Sequence, residues 1–210
     1  RLSDRSGPRW LFISHSLGGG VQQHIQHLAA LIRDELDGVV WLLHPRDERS
    51  VQLTWFGEDS GLNIPIAHDQ LSSALLALAL KLGIQRLHFH HLAGLPALVL
   101  ELPNLLGLPF DFTFHDFYAV CPSPTHFISR DGRYCGRPDL SQCETCVAER
   151  PDPWGLGILD WRATFNNWLS EAERLIFPNH SVEKIVSEYF PELSGEVWPH
   201  PEPSLAAFQA

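Results

Sequence analysis

The stretch RWLFISHSLGGGVQQHIQHLAALIRDEL, residues 9–36, decides the fold class of this chain. It opens with a short apolar run, RWLFIS at 9–14, which has the length and composition of a buried strand. Three glycines then lead into residues 21–36, where apolar side chains recur at the spacing of an amphipathic helix. A strand, a glycine turn and a helix in this order are typical of the first unit of an α/β domain with a parallel sheet.

The rest of the chain repeats this alternation of strands and helices. Further strands are predicted at 38–45, 85–91, 109–116, 174–179 and 195–203, with two weaker candidates between residues 52 and 67. Helices are predicted at 69–83, 95–107, 157–173 and 181–190. Pro103 should kink or end its helix because it lacks a backbone N–H. We therefore predict an α/β fold: a Rossmann-like, doubly wound, mostly parallel sheet with helices on both faces.

The composition narrows the classes of function. The 210-residue chain carries 25 acidic and 15 basic residues, a formal net charge of −10, which argues against a nucleic-acid-binding domain. No apolar run approaches the roughly 20 residues that a membrane-spanning helix needs, and the first residues show no signal-peptide pattern. A cytoplasmic location is therefore predicted, where cysteines are more often thiols or metal ligands than disulfides.

The glycine turn lies where α/β domains bind ligands, at the carboxyl end of a strand. Gly18 to Gly20 let a ligand approach the backbone closely, and the helix that follows offers free N–H groups to an anion such as a phosphate. The dinucleotide-binding fingerprint is not met, because Gln23 stands where it requires a third glycine. A ligand-binding loop is the favoured interpretation, and a simple connecting turn is the alternative.

Several of the twelve histidines follow predicted strands. The polar residues at strand ends are His15, His90, His91, His115 and Asp116. Because the carboxyl ends of parallel strands meet at one edge of a sheet, we expect these side chains to converge there. His88, inside a strand, is interpreted as a core histidine. His115 and Asp116 are predicted to be functional, since a polar pair between a strand end and a long loop is where sites gather.

All four cysteines lie in one segment, residues 119–152, whose content of Pro, Gly and Ser predicts little regular structure. They are Cys121, Cys135, Cys143 and Cys146, of which the last two form a Cys-x-x-Cys. Four soft ligands at this spacing suit a tetrahedral structural zinc site, which would hold the long loop together. The alternative is a reduced or partly oxidised cysteine cluster without a metal.

An aromatic stripe marks the helix predicted at 157–173. Trp161, Phe165 and Trp168 share one face of that helix. Core packing is the favoured interpretation. The alternative is an exposed aromatic patch that contacts a membrane surface.

An ordered set of motifs gives the chain a resemblance to a known family. The motifs are SLGGGVQQHIQHLAALI after the first strand, LHFHHLAGLP, FTFHDFYAVCPSPTHFISRDGRYC, CETCV and RLIFPNHSVEKI. Over about residues 9–200 the chain resembles the N-terminal domain of family-four glycosyltransferases, the retaining class with the GT-B fold. The resemblance implies the acceptor-binding half of an enzyme that moves a sugar from a nucleotide-sugar donor to a glycan or lipid-linked acceptor.

The same resemblance implies domain boundaries and residue roles. Residues 1–198 would form the N-terminal domain and 199–210 the start of an interdomain linker, while the donor domain is absent, so that this chain alone would be inactive. The implied catalytic residues are His115 and Asp116, with Asp116 orienting His115 or binding an acceptor hydroxyl. The implied substrate-binding residues are Gly18, Gly19, Gly20, His90, His91 and Tyr118.

The implied setting is surface polysaccharide or glycoconjugate assembly, in the cytoplasm or at the inner face of the membrane, with no nucleic-acid partner. Two alternatives stay open at this point. One is a non-catalytic αβα binding module with a zinc-stapled loop. The other is a different GT-B enzyme, such as a nucleotide-sugar epimerase.

Overall fold

The computed structural model describes residues 5–57, 62–123, 127, 132–137, 139–150 and 152–200. In this part of the chain the strands are β1 (Arg9–Ile13), β2 (Val39–Asp47), β3 (Ser50–Trp55), β4 (Asn63–Ala67), β5 (Arg86–Phe89), β6 (Phe110–Thr113), β7 (Arg174–Phe177) and β8 (Glu196–Val197). The α-helices are α1 (Gly19–Leu36), α2 (Leu71–Leu82), α3 (Leu102–Leu106), α4 (Leu140–Glu149), α5 (Ile158–Leu169) and α6 (His180–Tyr189).

The strands form a single sheet in the order β4-β3-β2-β1-β5-β6-β7-β8. Among the described strands β3 alone runs antiparallel to its neighbours, and the pairs from β2 across to β8 are parallel. The chain leaves β1 toward β2 but leaves β5 toward β6, so the crevice between β1 and β5 is the topological switch point of the sheet. The predicted α/β fold with a Rossmann-like, mostly parallel sheet is confirmed. That it forms half of a GT-B enzyme stays a prediction.

Helices cover both faces of the sheet, as predicted. On one face Phe12 and Val40 pack against Ile25, Ala29 and Ile32 of α1. The residues that alternate with them along β1 and β2 enter a larger core on the opposite face, together with side chains of α2 and α5. Each large apolar side chain buried in this way contributes about 1.5–3 kcal/mol. The two cores hold the carboxyl edge of the sheet in a fixed geometry.

The prediction of little regular structure in the cysteine segment is wrong for α4. The Asp139 side chain accepts a hydrogen bond from the Gln142 backbone N–H and so caps the helix. The ten residues of the helix, LSQCETCVAE, contain neither Gly nor Pro, so nothing in them opposes a helix once it has begun. The overall composition of residues 119–152 hides this local signal.

Pro103 begins a helix instead of breaking one. A 3₁₀ turn at Ala97–Glu101 precedes α3, and Pro103 lies in the first turn of that helix. Proline is well tolerated there because the first N–H groups of a helix have no partner within it. The apolar run at 95–107 therefore becomes two short helical pieces.

The aromatic stripe of α5 belongs to the core, as predicted. Trp161 and Phe165 are 0% exposed and Trp168 is 7% exposed. The Trp161 indole N–H donates a hydrogen bond to the backbone carbonyl of Tyr118, which ties α5 to the loop after β6. The alternative of an exposed aromatic patch is therefore wrong. Within the described ranges, no helix has both the length and the apolar character needed to cross a membrane.

Candidate functional site

Histidines from three separate elements meet at the carboxyl edge of the sheet, beside the switch point. His90 follows β5, His115 follows β6, and His24 lies in the second turn of α1. The ring of His90 lies 4.9 Å from that of Phe12, which places it on the face that α1 covers. We call His24, His90 and His115 the histidine cluster.

The three side chains are close enough to share one metal ion. One ring nitrogen from each lies within 4.8 Å of those from the other two. His90 Nδ1 and His115 Nε2 are hydrogen-bonded at 3.1 Å, a separation close to the value of about 3.3 Å between nitrogen ligands of a tetrahedral zinc ion. His200, on the segment after β8, brings a fourth ring whose centroid is 4.2 Å from that of His24 and 4.9 Å from that of His115.

Burial keeps the imidazoles of the cluster neutral at pH 7. It lowers the pKa of His24 to about 4 and the pKa of His115 to about 2, and neighbouring histidines act in the same direction. Burial, followed by the nearby histidines, also holds the pKa of His90 well below its usual value. Neutral imidazole is the form that binds a metal ion, so protons compete little for these ligands.

Some of these rings carry nitrogen atoms without a hydrogen-bond partner among the described residues. They are His24 Nδ1, His90 Nε2 and His200 Nδ1, and each is buried. A buried polar atom without a partner costs about 1–3 kcal/mol. A ligand bound among the rings would offset part of this cost, whereas the fold alone gains nothing from it.

His88 is a core histidine, as predicted. It is 3% exposed, and its Nε2 lies 2.8 Å from the Thr113 hydroxyl oxygen. Its ring stacks on that of His90, with centroids 4.1 Å apart. His88 thus supports the cluster from within the sheet and does not join it.

Asp116 lies on the opposite side of the same edge, against His91. Asp116 Oδ2 is 2.8 Å from His91 Nε2, and His91 Nδ1 accepts a hydrogen bond from the Ala93 backbone N–H. The His91 proton is therefore on Nε2, where it faces the carboxylate. The Asp116 carboxylate thus contacts His91, and its role in orienting His115 or binding an acceptor hydroxyl stays a prediction.

His15 and Tyr118, which the sequence also places at this edge, lie next to His91. The ring centroid of His15 lies 4.6 Å from that of His91, and the ring centroid of Tyr118 lies 4.7 Å from that of His91. His15 Nδ1 accepts a hydrogen bond from the Leu17 backbone N–H, and burial lowers the pKa of His15 to about 4. The structure thus brings the predicted site residues to one edge but divides them between its two sides.

The glycine loop is open and stands at the start of α1. Gly18 and Gly19 have φ of +80° and +75°, a conformation that favours glycine. A Cβ at Gly19 or Gly20 would meet nothing within 4 Å, and no side chain caps the helix. Space and backbone N–H groups are therefore available next to the histidine cluster, and a bound ligand at this loop stays a prediction.

The four cysteines line one cavity of about 420 Å³ and share no residue with the histidine cluster. They are Cys121, Cys135, Cys143 and Cys146, and all are partly buried. Within the described ranges no three of their sulfur atoms come within 4.8 Å of one another. The four ligands of the predicted zinc site thus face one space without being drawn together.

Two histidines at this edge, His24 and His200, are not predicted as site residues from the sequence. His24 is hidden in the amphipathic pattern of α1, although a histidine in the second turn after a strand-end loop has to lie near the carboxyl edge. His200 lies in a proline-rich stretch predicted as a linker. The parallel pairing of β8 with β7 brings this residue to the same edge as the other histidines.

No family model and no curated protein matches this chain. Among solved structures, a secreted C11 cysteine protease from Bacteroides thetaiotaomicron, "iotapain", is similar over 82% of this chain, with 9% identity and a TM-score of 0.32. The chain covers 45% of the length of that protease. A likeness this low assigns no activity to the chain.

The comparisons nevertheless contradict the predicted function. The reported structural neighbour is a cysteine protease, and no glycosyltransferase family model or curated glycosyltransferase matches the chain. The prediction of a glycosyltransferase that uses nucleotide sugars in polysaccharide synthesis is therefore wrong. The sequence resemblance behind it, and the donor and acceptor inferred from it, stay predictions.

Proposed function

We propose that this domain binds a divalent transition metal ion, with zinc the best match, through the histidine cluster. The observation that carries the proposal is the convergence of three ring nitrogens, from three elements of the fold, within 4.8 Å of one another. Zinc prefers nitrogen and sulfur ligands and accepts sets of three histidines. Mg²⁺ and Ca²⁺ prefer oxygen ligands, which this cluster does not supply.

Electrostatics and burial support a metal site over a core of packed histidines. The rings are neutral at pH 7, so a metal ion does not have to displace a proton from them. Buried His24 Nδ1 has no hydrogen-bond partner in the described structure, a cost that an apolar side chain of similar volume would avoid. The position also supports a site, because it lies beside the switch point, where α/β domains bind their ligands.

A site with three protein ligands keeps a fourth coordination position for another group. Zinc held in this way would lower the pKa of a bound water to about 7 and so would supply a nucleophile. His200 lies close enough to compete for the position, since its ring is 4.2 Å from that of His24. The open glycine loop at the start of α1 gives an anionic ligand a place beside the metal.

Zinc affinity of the purified chain tests this proposal. His24→Gln removes one ligand at a half-buried position, and His27→Gln changes an exposed histidine of the same helix as a matched control. We expect His24→Gln to weaken zinc binding by at least about 100-fold, beyond the 10–100-fold typical of losing a residue that only supports a ligand. His27→Gln should bind like the unaltered chain in competition with a chromophoric chelator.

Equal zinc affinity of the unaltered chain and His24→Gln would contradict the proposal. His115→Gln provides a second arm from a different element of the fold. Circular dichroism of each variant separates a lost ligand from a lost fold. The same titration with Mg²⁺ should show no binding at this site.

A further inference from the structure

The cysteine cavity is enclosed by elements that lie outside the histidine cluster. Its walls come from the loop after β6, from residues 133–137, from α4, from two residues of α5 and from one residue of α6. Cys143 and Cys146 are three residues apart in α4 and so share one helix face. Cys135 is fixed from the other wall, where its backbone N–H donates to the Phe127 carbonyl.

The walls of the cavity carry more basic than acidic side chains. Four arginines and one glutamate line it, in a chain whose net charge is −10. The Arg162 Nη2 atom lies 3.6 Å from Cys143 Sγ, and its guanidinium stands over the Tyr189 ring at 4.6 Å. Burial raises the pKa of the Cys121 thiol, and hydrogen bonds from the Phe127 and Ser123 backbones act in the opposite direction.

We propose that Cys121, Cys135, Cys143 and Cys146 form a second metal site, a four-thiolate zinc centre that closes this cavity. A tetrahedral zinc ion holds its sulfur ligands about 3.8 Å apart. No three sulfur atoms within the described ranges come within 4.8 Å of one another, so binding has to draw α4 toward the loop after β6. The cavity provides the room for that movement.

Zinc binding to the four cysteines releases protons and leaves a negatively charged centre. Each of the four thiols loses one proton to solvent and forms one bond to zinc, so the centre carries a net charge of −2. Arg162, whose Nη2 lies 3.6 Å from Cys143 Sγ, offsets part of that charge. Backbone N–H groups directed at cysteine sulfur are the usual outer support of such centres.

Metal content and cobalt spectra of the full chain test the inference. The unaltered chain should hold two zinc ions, and the double variant Cys143→Ser/Cys146→Ser should hold one. Cobalt in place of zinc should give a sulfur-to-cobalt charge-transfer band, which nitrogen ligands do not produce. This band should persist in His24→Gln and vanish in the cysteine variant, so failure of one site leaves the other measurable. Glu144→Gln, at an exposed position of the same helix, is the matched control.

The reactivity of the thiols in the unaltered chain gives a second test, which does not depend on the folding of the cysteine variant. The four thiols should resist a thiol reagent in the native, zinc-loaded chain and become reactive after chelation. Four thiols that react freely in the presence of zinc, with no charge-transfer band, would overturn the inference. Iron with labile sulfide in place of zinc would overturn it as well.

Discussion

Acid should destabilise this domain through its buried histidines, and His88 gives the clearest case. His88 is 3% exposed, and burial lowers its pKa to about 3, with smaller contributions from His24 and Arg86. An unfolded chain takes up a proton at this position near pH 6.5, while the folded chain does not. Stability is therefore complete above pH 6.5 and is lost as the pH falls from 6.5 toward 3.

The size of the effect follows from the pKa of the unfolded chain. A histidine that stays neutral in the fold lowers the unfolding free energy at pH 5, because pH 5 lies 1.5 units below the pKa of about 6.5 in the unfolded chain. This difference corresponds to about 2 kcal/mol. The result hardly depends on the folded pKa once that pKa lies well below 5. His90 is 1% exposed and its pKa is also lowered, so it adds to the loss of unfolding free energy that His88 causes in acid.

Urea denaturation at pH 7 and pH 5, with a chelator present to remove metal, measures this loss. The variant His88→Gln retains a polar group for the Thr113 hydroxyl and removes the titrating ring. Its loss of unfolding free energy between the two pH values should be smaller than that of the unaltered chain by about 2 kcal/mol. The exposed-site variant His27→Gln should show the full loss. If His88→Gln loses as much stability as the unaltered chain, the assignment of His88 as a buried neutral histidine is refuted.

Two further predictions concern the proposed metal and the core. Zinc affinity, measured by chelator competition, should stay nearly constant from pH 7 to pH 5. The reason is that the pKa of His24 is about 4 and that of His115 about 2. Histidine ligands with a pKa of 6.5 would lose affinity steeply over this range. Phe165→Ala should lower the unfolding free energy by about 3–5 kcal/mol in urea denaturation, while Leu159→Ala, at a position of the same helix that is 53% exposed, should change it by no more than about 0.5 kcal/mol. A loss of less than 1 kcal/mol for Phe165→Ala would contradict the burial of that ring.

The sheet and much of its carboxyl edge could be predicted from local patterns. Alternating strands and helices specify a parallel sheet, and strand ends then place His90 and His115 at one edge. The contact of Asp116 with His91 could not be predicted in this way, because β6 ends at Thr113 and residues 115 and 116 lie in a bend.

The rest of the site depends on long-range packing, which local patterns do not contain. His24 reaches the cluster only because α1 crosses the sheet on the face of Phe12. His200 reaches it only because β8 pairs in parallel with β7. The single capping residue Asp139 decides that α4 is a helix, against the average composition of the segment around it.

The location of zinc in the loaded chain is the most direct test of the central claim. Anomalous diffraction at the zinc edge, from crystals of the unaltered chain, should give a peak among the side chains of His24, His90 and His115, with zinc–nitrogen distances of about 2.0–2.1 Å. Crystals of His24→Gln grown with the same zinc concentration should lack that peak. An unaltered chain that binds zinc elsewhere and leaves these three imidazoles without a peak would contradict the proposed function.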